Sequence, residues 1–167
     1  DTKPAAREQL RTYLEKGLET HGIKAIRING IDTHWYTEDL MAARACLPDA
    51  IVVPKVSEPA HLRLVEDALS ETDAPKSIRL WAMIETAAGV LNVADVARQT
   101  HSTVDRLDAL ILGTNDLFKE MALHKQNARE IAHPFLMQII LAAKANGIAA
   151  IDGVFNRFRD IEGLELE

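Results

Sequence analysis

Residues 80–86 read Leu-Trp-Ala-Met-Ile-Glu-Thr, and residues 109–116 read Ala-Leu-Ile-Leu-Gly-Thr-Asn-Asp. Each is a short apolar run that turns abruptly into residues able to bind or react, as a buried parallel strand does where a site begins. The pattern repeats outward in both directions. Residues 25–29 (AIRIN) lead into Gly30-Ile31-Asp32, residues 50–54 (AIVVP) into Lys55, and residues 148–152 (IAAID) into Gly153. With 80–84 and 109–113 this makes five predicted strands about thirty residues apart, the size of one βα unit.

Between the strands, apolar residues fall three or four apart, which predicts helices over residues 4–20, 37–45, 59–70, 88–98 and 134–146. Thr37 before Glu38-Asp39 and Ser57 before Glu58-Pro59 read as helix starts, and Asn146-Gly147 as a stop. The alternation predicts an α/β fold around a parallel sheet. Barrels and open doubly wound sheets both carry their sites at the C-terminal strand edge, so the pattern alone leaves the two open. Neither common Gly-rich nucleotide loop is present, which weighs against dinucleotide binding.

The length of 167 residues suits one domain, residues 1–167, with a real core. No apolar run approaches the ~20 residues of a membrane-spanning helix. A formal net charge of −6 without a basic stripe argues against nucleic acid as a partner. Cys46 is the only cysteine, so an intramolecular disulfide is impossible and a reducing cytoplasm is expected. The opening Asp1-Thr2-Lys3-Pro4 reads as a cut or processed start with something before it.

Glu85 directly follows one strand, and Asp116 lies three residues past Gly113 after the next. Two hard carboxylates at adjacent strand ends suit Mg²⁺, which keeps waters and substrate oxygens in its shell. A Glu there also serves as a cap partner or solvated loop residue, and Asp116 as an N-cap. Arg27 sits between Ile26 and Ile28 with its side chain on the opposite face, placed either to grip a carboxylate or to make a structural ion pair. Gly113, Thr114 and Asn115 offer backbone N–H groups for a carboxylate cradle or form a plain turn. Asp152 binds substrate or belongs to an Asp-Gly turn, and Lys55 meets an anionic substrate or water. The six histidines show no zinc-type spacing, no serine lies in a nucleophile elbow, and Cys46 has no evident base.

Together the segments RINGIDTHWYTEDL from Arg27, IVVPKV from Ile51, AMIETAAGVLN from Ala82, LILGTNDL from Leu110 and AIDGVFN from Ala150 resemble the HpcH/HpaI aldolase and citrate lyase β-subunit family. The resemblance is strongest to its CoA-ester lyase branch, which includes malyl-CoA and citramalyl-CoA lyases. It implies Mg²⁺ on Glu85 and Asp116, a substrate carboxylate on Arg27, and a backbone cradle at Gly113–Asn115. The implied reaction is a reversible Claisen cleavage of a malyl-, citramalyl- or citryl-CoA type 3-hydroxyacyl-CoA into a 2-oxo acid and an acyl-CoA. A pyruvate-type aldolase, an acyl-CoA thioesterase, and a non-catalytic remnant or complex subunit are the competing readings.

The family barrel has eight strands, of which these five resemble the third to seventh. A partial (β/α)8 TIM barrel is therefore expected. An acidic Leu-Glu-Asp-Ala-Val segment near the start of the family barrel, its last strand and a C-terminal catalytic acid/base have no counterpart here. The chain is expected to be a fragment, holding a metal site without the complete catalytic machinery. The resemblance also implies a homotrimer or homohexamer.

Overall fold

The computed structural model describes residues 2–15, 22–123 and 128–166. At its centre lies a parallel sheet of β1 (Ala25–Arg27), β2 (Ala50–Val53), β3 (Arg79–Ile84), β4 (Leu107–Leu112) and β5 (Ala149–Ile151). The spatial order is β1-β2-β3-β4-β5. Every neighbour in space is a neighbour in sequence, whereas a doubly wound sheet would reverse its order part-way. The order therefore decides what the strand pattern left open: this is the arc of a (β/α) barrel.

Helices accompany the strands, and all but the last contribute residues to the core on one face of the arc. They are α1 (Lys3–Glu15), α2 (Tyr36–Ala45), α3 (Pro59–Glu71), α4 (Ala87–Leu91), α5 (Val93–Ala97), α6 (Thr114–Glu120), α7 (Ala128–Ala145) and α8 (Ile161–Leu166). In α3 a first-turn proline sets the entry, and Leu62, Val65 and Leu69 are buried at helical spacing. They join Ile26, Ile51, Val53, Leu80, Ala82, Ile84, Leu110 and Leu112 in one core between sheet and helices. Strand residues of the other parity face the concave side. Arg27, Val52, Trp81, Ala109 and Ala149 align there across all five strands, followed by the row Met83, Ile111 and Ile151.

Several element boundaries differ from expectation. The helix expected over 88–98 breaks at Asn92, whose side chain leaves the helical path to donate to the Ser57 carbonyl at 2.9 Å. Thr114 and Asn115, read with Gly113 as a turn, open α6, and Gly113 rather than Asp116 holds its N-cap position. Pro134 does not open α7 but lies within it, where it removes one ladder donor. Thr37 lies inside α2, and Glu58 rather than Ser57 holds the N-cap position of α3, without a side-chain bond. The strands end before Asn29, Pro54, Gly113 and Asp152, which belong to the loops that carry the site. Residues 16–20 of the first expected helix, with His21 and His124, lie outside the described residues.

Two polar clusters fasten the layers. At the strand C-terminal edge, Asp39 of α2 accepts from the Asn29 backbone at 3.0 Å and from Arg7 Nε of α1 at 2.7 Å. Burial pushes the Asp39 carboxyl up, but hydrogen bonds from Arg7 and Asn29 outweigh it and hold the group below its ordinary value. At the opposite edge Arg106, 2% exposed, donates to Glu66 of α3 at 3.0 Å and to the carbonyls of Ala74 at 2.8 Å, Pro75 at 2.5 Å and Ile78 at 3.2 Å.

Candidate active site

The site is assembled from the loops after β2, β3 and β4. The chain leaves β2 through Pro54 and places Lys55 in the left-handed region, φ 53°, a conformation that costs a non-glycine residue about 1–2 kcal/mol. That turn aims the Lys55 backbone N–H at Glu85 Oε1, 3.0 Å away. Glu85 follows β3 and is 6% exposed. Its room comes from Gly113, because a Cβ there would lie 2.3 Å from Glu85 Cβ and 2.8 Å from Oε2. Gly113 is thus required by close approach rather than by an unusual φ.

Thr86 stands beside Glu85 and caps α4, its hydroxyl accepting from Gly89 N at 3.0 Å and pairing with Ser57 Oγ at 2.8 Å. Asp116 is exposed in the first turn of α6, with Lys119 and Glu120 one turn further on. Lys55, Glu85, Thr86, Asp116, Lys119 and Glu120 line one cleft of about 340 Å³. The Glu120 carboxylate accepts from Ala87 N at 3.3 Å. Among the described residues no three His, Cys, Asp or Glu side chains form a group able to hold a metal.

The electrostatics single out Glu85. Burial pushes its carboxyl above the usual range and the Asp116 charge adds to this, while the Lys55 N–H and the charges of Arg27 and Lys55 only partly offset them. A buried carboxylate beside a second one favours either a proton or a cation between them.

The cleft therefore brings together Lys55, Glu85 and Asp116 of the residues expected from sequence. Arg27 lies on the concave face and reaches Glu85 through its charge, not as part of the cleft lining. Thr114 is buried against Gly153, where a Cβ would come within 2.9 Å of Thr114 Cγ2. The Asn115 amide exchanges hydrogen bonds with Asn156, at 2.9 and 3.3 Å. Asp152 turns back to accept from Gly153 N at 2.6 Å. Thr86, Lys119 and Glu120 were not foreseen. A helical reading of 114–120 would have put Lys119 and Glu120 on the same face as Asp116.

A parallel arc wound in one direction, with a strand-end cleft holding a buried acid beside an exposed one, defines a protein of the (β/α)-barrel class. The chain belongs to the HpcH/HpaI aldolase/citrate lyase family, whose model matches residues 1–166. It is 42% identical over 167 residues to a (3S)-malyl-CoA thioesterase of Cereibacter sphaeroides strain KD131, covering 100% of this chain and 55% of that protein. It is 34% identical over 151 residues to the citrate lyase subunit beta of Leuconostoc mesenteroides subsp. cremoris, covering 85% and 47% respectively. Among solved structures, CitE of Mycobacterium tuberculosis in complex with magnesium, acetoacetate and coenzyme A superposes with a TM-score of 0.77 at 27% identity. That match covers 98% of this chain and 56% of CitE. The chain thus spans about half the length of the curated relatives it matches.

Proposed function

We propose that this chain carries the metal-binding part of a Mg²⁺-dependent carbon–carbon lyase, which cleaves a malyl-, citramalyl- or citryl-CoA type thioester into a 2-oxo acid and an acyl-CoA. The observation that carries the reading is the Glu85–Asp116 pair facing one cleft, with the buried Glu85 carboxyl held above its ordinary range. These residues fit the ion: both offer hard oxygen donors, and a dication relieves the burial and repulsion that disfavour the charged Glu85. When bound, Mg²⁺ supplies Lewis-acid polarisation of substrate oxygens.

The chain's own groups do the rest of the positioning. The Lys55 N–H fixes one Glu85 oxygen, and Gly113 leaves space for the other. Arg27, on the concave face, takes the substrate carboxylate, and the Lys55 ammonium balances its charge from the cleft side. The backbone N–H groups that open α6 at Thr114 and Asn115 supply the cradle. Asp152 acts from the loop after β5 on substrate or on bound water. Cytoplasmic residence and assembly into a homotrimer or homohexamer belong to the same proposal. No described helix is long and apolar enough to cross a membrane.

A second reading, hydrolysis of the thioester on the same site, is favoured by the 42% identity with a malyl-CoA thioesterase along the whole chain. The two differ in the bond that breaks, so incubation with malyl-, citramalyl- and citryl-CoA, with Mg²⁺ or with EDTA, separates them. Mg²⁺-dependent release of a 2-oxo acid, trapped as its phenylhydrazone, is the expected result. Release of free CoA thiol without 2-oxo acid would establish the second reading, and neither product would overturn both.

A further inference from the structure

Ser57 stands two residues past Lys55 and caps no helix, since Glu58 holds the N-cap position of α3. Its polar groups bind four separate places instead. The backbone N–H donates to His61 Nδ1 of α3 at 3.3 Å, and the carbonyl accepts from Asn92 Nδ2, at the joint of α4 and α5, at 2.9 Å. The hydroxyl lies 3.1 Å from the Lys55 carbonyl and 2.8 Å from the Thr86 hydroxyl. A hydroxyl has one proton to donate, and a carbonyl can only accept. The Ser57 proton therefore goes to Lys55, the Thr86 proton goes to Ser57 Oγ, and Thr86 Oγ1 in turn accepts from Gly89 N at 3.0 Å.

One side chain thus joins the two loops that hold Glu85. Lys55 is bound on both sides, its N–H to Glu85 Oε1 at 3.0 Å and its carbonyl to Ser57 Oγ, so the two bonds flank its φ and ψ rotations. Between them lies the left-handed φ of 53°, a conformation that a lysine keeps only where its surroundings over-determine it. The next peptide is fixed as well. Val56 N donates to the Met83 carbonyl of β3 at 3.1 Å, and Gly89 lets α4 close on the Val56 carbonyl, where a Cβ would lie 2.5 Å away. On its other side the Ser57 hydroxyl holds Thr86, the residue after Glu85.

We propose that Ser57 is a positioning residue for the acidic cleft: its hydroxyl holds Lys55 in the left-handed turn that aims the Lys55 N–H at Glu85, and ties that turn to Thr86 beside the same acid. The proposal rests on the metal reading of Glu85 and Asp116 given above. Ser57 touches neither cation nor substrate in this account. Without its hydroxyl, Lys55 relaxes toward negative φ, its N–H turns away, and Glu85 Oε1 loses the donor that orients it. A carboxylate whose orientation is not fixed binds a hard cation more weakly, as metal ligands do when the groups that orient them are removed.

The test is calorimetric titration with Mg²⁺ alone, with melting temperatures measured alongside. Ser57→Ala is expected to weaken Mg²⁺ binding about 10-fold while melting within a few degrees of wild type. Ser57→Thr, which keeps the hydroxyl, is expected to stay within about 2-fold of wild type. With Lys55→Gly already present, the Ser57→Ala loss should shrink to about 3-fold or less, because glycine takes the left-handed turn without steric cost; comparison within that background cancels the missing ammonium. An equal loss in both backgrounds, or a Ser57→Thr chain as weak as Ser57→Ala, overturns the proposal. So does a Ser57→Ala chain that binds like wild type while Glu85→Gln does not, and that result leaves the metal reading standing. Wild-type Mg²⁺ binding that is absent, or unmoved by Glu85→Gln, overturns both.

Discussion

Glu85 is where burial and charge conflict most openly. Its folded carboxyl titrates above the unfolded value of about 4.3, so the protonated form is the one folding favours. Stability is then lost as pH rises from the unfolded value through the folded one. Glu85→Gln keeps an acceptor for the Lys55 N–H and removes the charge. In EDTA at pH 7 the variant is expected to melt a few degrees above wild type, given about 2–4 °C per kcal/mol for a chain of this size. The two curves should converge as pH falls through the carboxylate range. A variant that melts lower than wild type at every pH would contradict this account of the site. At this scale Glu85 and Asp116 were legible in the sequence because acids that close an apolar run stand out. Lys55 was also named from the sequence, but its left-handed turn was not legible, because no glycine marks the place.

The elements were legible where burial is continuous. β2 lies wholly within the run that announced it, while β3 and β4 begin one and two residues earlier, at Arg79 and Leu107; their runs stood out because the residues of both faces are largely apolar, although only one face is fully buried in β3. The break at Asn92 could not be read, because it depends on a carbonyl contributed by Ser57 across the fold. Nor could α6, whose Gly-Thr-Asn-Asp opening has the composition of a turn. Arg106 shows the same dependence on tertiary partners. It joins α3 to the loop before β3, and Glu66 Oε2 already lacks a hydrogen-bond partner. Arg106→Met strands that carboxylate, and a loss of about 3–5 kcal/mol in urea unfolding is expected. Adding Glu66→Leu should recover part of the loss. A double variant as unstable as the sum of the two single changes would show that the pair is not coupled.

For the whole molecule, strand order decided what strand composition could not. Barrel and doubly wound sheets share buried parallel strands and C-terminal sites, and differ in whether the order reverses. The concave face follows from the same arc. Trp81, Met83, Ile111 and Ile151 are only half-buried there, forming apolar surface on the side away from the helices. The native chain is expected to enhance the fluorescence of an apolar dye, and Met83→Lys with Ile111→Lys to reduce that signal several-fold. Equal signals from the two proteins would mean that this face is not what the dye sees.

Gly113 and Glu85 carry a constraint that reaches beyond this molecule. The methyl group missing from one strand end is the volume occupied by the acid of the other, so position 113 cannot enlarge while that acid stays in place. An alanine at 113 becomes sterically acceptable only in a background where the acid at 85 has already shortened or moved. A mutational route through this pair therefore has an order, and a lineage that enlarges 113 first closes the pocket before it can refit it.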